Sequence, residues 1–131
     1  MRAVLTLALS VVIIAKNEQG RIKDCLESVY GWADDMVAAA QIPQIYCKLS
    51  GMITEADPRG WKAGHLRPYV AHVLEHFGPD RLMFGSDWPV CTLAGTWKQV
   101  LAAFTQAAGP QTIEARDRLL GATAARFYRL D

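Results

Sequence analysis

The chain has almost no excess of charge: 14 Lys and Arg stand against 13 Asp and Glu, a net +1. A near-neutral surface gives no electrostatic reason to expect nucleic acid or an anionic membrane as partner. Cysteine is scarce. Cys25, Cys47 and Cys91 have no C-x-x-C spacing and leave an odd thiol, so reduced thiols in a cytoplasmic setting are expected. Histidine is equally scarce, with three residues and none before His65. There is no G-x-S-x-G elbow, no P-loop and no G-x-G-x-x-G, so these signals for nucleophilic or phosphate-binding loops are missing. The apolar stretch Ala3–Ala15 is broken by Thr6 and Ser10 and is too short to span a bilayer. Lys-Asn-Glu-Gln follows it without a small-x-small cleavage pattern, so a buried strand is a better reading than a secretion signal.

What remains is one domain's worth of ordinary globular sequence, 131 residues, 51% apolar and 21% charged, which argues against disorder. Leu9–Ala15 is rich in Val and Ile and predicts a strand covered on both faces. After a turn over 16–20, Ile22, Cys25, Leu26 and Val29 repeat as the stripe of an amphipathic helix, with Gly31 placed to stop it. Ile45–Leu49 predicts a second buried strand, and Met52–Gly64, with Asp57-Pro58-Arg59-Gly60 inside it, a loop. Pro68 suits the first turn of a helix ending at Phe77. Thr96–Ala108 predicts a further helix with Val100, Leu101 and Phe104 on one face, closed by Gly109-Pro110. Thr112–Leu120 and Ala122–Tyr128 predict a closing helix pair, or one helix bent at Gly121.

The stretch Arg81–Pro89, Arg-Leu-Met-Phe-Gly-Ser-Asp-Trp-Pro, organises the rest. Leu82, Met83 and Phe84 read as a short buried strand. Gly85 permits close approach, and Pro89 prevents the ladder from running on. Asp87 is thereby delivered where a buried strand ends, and in parallel α/β folds that edge is where ligands bind. The competing reading is that Ser86 and Asp87 only form a turn or a helix cap. Met52–Gly64 leaves the same edge, bringing Trp61 and His65 toward Asp87. If a pocket lies there Trp61 and Trp88 would wall it, and otherwise they cover the core; His65 would contact substrate or shuttle a proton, against the reading of a plain loop histidine near a helix start. Cys47 reads as a small core residue rather than a nucleophile. His72-Val-Leu-Glu75-His76 is a literal H-x-x-E-H, the inverted zinc-protease pattern. Val70, Val73, Leu74 and Phe77 share the other face of that helix, which turns His72, Glu75 and His76 to water and away from any catalytic cavity.

Ile-Tyr-Cys-Lys-Leu-Ser-Gly over 45–51, Phe77–Pro89 and Leu120–Leu130 together resemble the amidohydrolase-2 family, lactonase-like hydrolases on a TIM barrel. The similarity covers roughly residues 38–131, the last quarter to third of a family member. It implies that Asp87 ends the last barrel strand and activates the hydrolytic water, with or without a divalent metal (Zn or Mn) on Asp87, for a small lactone or cyclic amide. The family's complete site also gathers a His-x-His and a further His, and this chain has no His-x-His. The resemblance therefore implies a weakly active or inactive hydrolase.

Residues 1–37 resemble something different. Ser10–Glu18 (Ser-Val-Val-Ile-Ile-Ala-Lys-Asn-Glu), Arg21–Ser28 and Trp32–Val37 are similar to the start of a family 2 glycosyltransferase. That implies a nucleotide-sugar pocket near Asn17 and Glu18, but the family's Asp-x-Asp metal pair does not follow Val37. Two signatures thus meet between Val37 and Ile42 without a Gly, Ser or Pro linker. The fold expected is α/β: a partial (β/α) barrel or small open, mostly parallel sheet of about three strands with helices, divided into a 1–37 segment and a 38–131 partial barrel. The partner expected is a small-molecule substrate, with self-association through open sheet edges. A glycosyltransferase remnant or a non-catalytic fused fragment is the alternative.

Overall fold

In the computed structural model of the chain, the structure describes residues 9–12, 36–56 and 59–130. Three short strands form one parallel sheet in the order β1-β2-β3: β1 (Leu9–Val12), β2 (Cys47–Ser50) and β3 (Leu82–Phe84). The first expected strand is therefore present beside the second. Residues 13–15, the Ile22–Val29 helix, Asn17, Glu18 and Cys25 lie outside the described residues. β2 starts two residues later than expected because it pairs in register with β3, Cys47 opposite Leu82 and Leu49 opposite Phe84. Backbone bonds from Cys47 N–H to the Arg81 carbonyl (2.8 Å) and from Gly85 N–H to the Leu49 carbonyl (2.8 Å) extend that ladder at both ends.

Strand alternation divides the sheet into two faces. Cys47, Leu49 and Leu82, all fully buried, face the helical layer. Lys48, Ser50 and Met83 point to the other face. The helical layer consists of α2 (Ala63–Phe77) and α3 (Trp97–Ala108), preceded by a single turn, α1 (Met52–Glu55). α2 buries Ala63, Leu66, Val70, Val73 and Phe77, a spacing of three and four that keeps one stripe on the sheet. α3 buries Val100, Ala103, Phe104 and Ala107, and the Phe104 ring stands 5.0 Å from that of Phe84. Its start is fixed by a reciprocal capping box between Thr96 and Gln99, which satisfies two of the orphan donors of the first turn.

Two expectations need correcting here. The stretch Met52–Gly64 is not one loop: α1 occupies its start, with Met52 and Ile53 buried in the core. α2 begins five residues before Pro68, which therefore lies inside the helix. Both Gly64 and Pro68 lie on the exposed side, where water can take the place of the donor that proline lacks. The C-terminal helix is a single bent unit, α4 (Ile113–Asp117) and α5 (Thr123–Tyr128) joined by a π-helical turn over Arg118–Ala122 that contains Gly121. Thr123, fully buried, donates its hydroxyl to the Pro79 carbonyl at 2.7 Å and anchors that unit to the approach to β3. Arg81 anchors the other side. Its guanidinium donates to the carbonyls of Ala40 (2.8 Å), Ile42 (3.0 Å) and Ile45 (3.1 Å) and lies over the Phe77 ring. Among the described residues the sheet stays open and does not close into a barrel.

Candidate active site

Beyond Phe84 the chain stops pairing as a strand and turns sharply. Asp87 sits in the left-handed region at φ 58°, ahead of a cis Trp88–Pro89 bond. Aspartate is among the few side chains that tolerate that region. The Asp87 carbonyl accepts from Cys91 N–H at 2.8 Å and so leads into the short 3₁₀ turn Val90–Leu93, which opens with Thr92 N–H on the Pro89 carbonyl at 3.0 Å. The Asp87 backbone thus does what a turn residue does, while its carboxylate stays out of the turn. That side chain is half-buried, and among the described residues it has no hydrogen-bond or ion-pair partner.

The carboxylate lines a cleft of about 400 Å³ on the face of the sheet away from α2 and α3. Lys48 and Ser50 of β2 form one wall, Met83 to Trp88 the floor and rim, and Ala124 and Tyr128 of α5 the far side. Among the described residues, Lys48 and Asp87 are the two charged groups on these walls. Gly85 makes the arrangement possible: a Cβ there would lie 2.7 Å from Lys48 Cε and 2.8 Å from Ser50 Cβ. The lysine chain thus passes across the end of β3, over the one position that carries no side chain.

The structure brings Asp87 and Trp88 to this cleft, with Trp88 68% exposed on its rim. It does not bring Trp61 or His65 there. Trp61 packs against the core and donates its indole N–H to the Ala94 carbonyl at 2.9 Å. His65 is exposed in the first turn of α2, because the helix begins upstream of it. Cys47 is wholly buried, and burial pushes its thiol up to about 12, which removes it as a nucleophile. Sequence reasoning missed Lys48, Ser50 and Tyr128. A lysine in an otherwise buried strand was the available signal for the first.

A catalytic zinc ion takes three protein ligands. Among the described residues no group of three His, Cys, Asp or Glu could hold one, and Asp87 is the single acid on the cleft wall. These residues do not make a metal centre by themselves. Nor is any described helix long and apolar enough to cross a membrane.

Comparison with known proteins decides the ancestry. The amidohydrolase-2 family model matches residues 19–130. The chain belongs to the amidohydrolase family. It is 43% identical over 104 residues to an L-fucono-1,5-lactonase of Burkholderia multivorans, covering 76% of this chain and 35% of that protein. A second L-fucono-1,5-lactonase, from Burkholderia ambifaria, is 41% identical over 107 residues, 76% of this chain and 36% of that one. A crystal structure of a Burkholderia multivorans amidohydrolase with bound HEPES superposes with a TM-score of 0.78 at 38% identity, over 90% of this chain and 42% of that chain. Another, with bound zinc, gives 0.74 at 39% identity, over 80% and 39%. The chain thus spans between about 35% and 42% of the length of these relatives. The match to the amidohydrolase family starts inside the stretch that resembles a glycosyltransferase, and none of these findings supports that second resemblance.

Proposed function

We propose that this amidohydrolase chain carries the water-activating corner of a hydrolase for small lactones, with cyclic amides as a secondary class. One observation carries the reading: a carboxylate with no partner among the described residues, Asp87, stands at the C-terminal edge of a parallel sheet in a cleft shared with Lys48. Asp87 takes a proton from water as the oxygen attacks the lactone carbonyl carbon. The Lys48 ammonium donates to the carbonyl oxygen as negative charge collects there. The ring C–O bond then breaks, and Asp87 returns the proton to the departing alkoxide, leaving a hydroxy acid. The L-fucono-1,5-lactonase names of the relatives favour sugar lactones as the first class to try.

The rate expected is low. General-base help is worth about 10²–10⁴-fold, small beside ordinary enzymatic accelerations of about 10⁶ or more. The chain has no His-x-His to supply electrophilic support. The test is a panel of five- and six-membered sugar lactones, acyclic esters and UDP-sugars offered to the purified chain. Slow opening of lactones above the buffer rate, with no UDP-sugar turnover, supports the reading. Turnover at ordinary enzyme rates contradicts the expectation of a weak site, and no lactone opening at all contradicts the proposal.

A further inference from the structure

The H-x-x-E-H stretch of α2 plays no part in the Asp87 cleft, yet the structure gives it a geometry of its own. His72 and His76 are four residues apart on one helix, hence neighbours across a single turn. Their rings stand 4.6 Å apart between centroids at 66° to one another. Both are half-buried, while Glu75 between them is exposed. The helix face they share is the one turned away from the stripe of Ala63, Leu66, Val70, Val73 and Phe77 that packs on the sheet. The pair therefore lies in the helical layer, with the sheet between it and the Lys48–Asp87 cleft.

We infer that His72 and His76 form a two-imidazole site for a borderline divalent cation such as Zn²⁺. Imidazole is a preferred ligand of such ions. With Zn–N bonds of about 2.0–2.1 Å, two rings bound at angles between a right angle and the tetrahedral value stand about 4.5–5.2 Å apart at their centres. The observed spacing falls within that range, and rotation about the side-chain torsions is what must bring one nitrogen of each ring to the ion. Each ring has two nitrogens, and one ligates while the other keeps whatever hydrogen bond orients it. Two protein ligands leave the remaining positions to water, so the site ties one turn of α2 together and is not a closed structural centre. No third His, Cys, Asp or Glu among the described residues completes it.

The test is a ZnCl₂ titration of the full chain followed through its histidine ring signals by NMR. His65, two turns earlier on the same helix, is the internal control. The inference expects the His72 and His76 signals to move together and saturate at one equivalent while His65 stays in place. It also expects His76→Gln and His72→Gln each to raise the apparent Kd on the order of tenfold or more, with His65→Gln and Asp87→Asn leaving it unchanged. An unchanged Kd in either pair variant overturns the site, as does an equal loss in His65→Gln or Asp87→Asn. Should the variants fail to fold, the wild-type titration decides: movement centred on His65, or no movement at these rings, overturns it.

Discussion

Gly85→Ala tests the geometry on which the cleft depends. The added Cβ would lie 2.7 Å from Lys48 Cε and 2.8 Å from Ser50 Cβ, both well inside van der Waals contact. The first neighbour is the far end of a flexible side chain and can swing aside. The second is fixed to the β2 backbone and cannot, so the end of β3 must move. Overpacking of this kind costs about 1–3 kcal/mol. The Gly85 N–H bond to the Leu49 carbonyl is strained by the same movement, adding up to about 1 kcal/mol. The unfolded chain loses freedom when glycine becomes alanine, which offsets about 0.4–1 kcal/mol. A net destabilisation of about 1–3 kcal/mol is expected from urea unfolding followed by circular dichroism, seen as a lower midpoint at unchanged slope. The double variants locate the source. Lys48→Ala in the Gly85→Ala background should restore little, whereas Ser50→Gly should be better tolerated there than in the wild type. A Gly85→Ala chain as stable as the wild type, or more stable, refutes the close approach and with it the placement of Lys48 over β3.

Other consequences follow from single contacts. Burial raises the Cys47 thiol from 9.0 to about 12, so the folded state holds a proton that the unfolded chain releases. Stability from this source is present below about pH 9 and is lost as pH rises toward 12; Cys47→Ala should flatten that alkaline decline in midpoint-against-pH measurements, and an identical decline contradicts the assignment. Arg81→Lys keeps the charge but not the planar fork that reaches the Ala40, Ile42 and Ile45 carbonyls. It should cost about 1–3 kcal/mol in urea unfolding, and a neutral result would show that the guanidinium does not hold the 40–45 turn.

The strands were legible because Leu82–Phe84 is a short run with no polar face and Cys47 and Leu49 alternate as apolar positions on either side of Lys48, and both α3 ends were legible because Thr96 and Gly109 carry the right cap chemistry. The start of α2 was not read, although Ala63 and Leu66 continue the stripe of Val70, Val73 and Phe77 two turns upstream. Pro68 has the chemistry of a helix start, yet a proline on an exposed face inside a helix costs less than its rank suggests when tertiary packing holds the rest of the stripe. That misreading also moved His65 into a loop and toward the cleft. Trp61 takes the core-covering role and not that of a cleft wall because its indole N–H is claimed by a carbonyl 33 residues away, a contact no local pattern announces. The place of Asp87 at the sheet edge was legible because strand end, glycine and proline bracket it, while that of Lys48 beside it needed the cross-strand register, which composition and periodicity do not give.

The central claim is that Asp87 is the group that activates water in the cleft. The most direct measurement is the initial rate of sugar-lactone opening by the wild-type chain and by Asp87→Asn, each corrected for the buffer rate. Replacement by the isosteric amide removes the base and leaves the turn geometry, so a loss of about 10²–10⁴-fold, or to background, is expected. Equal rates in the two chains would contradict the account.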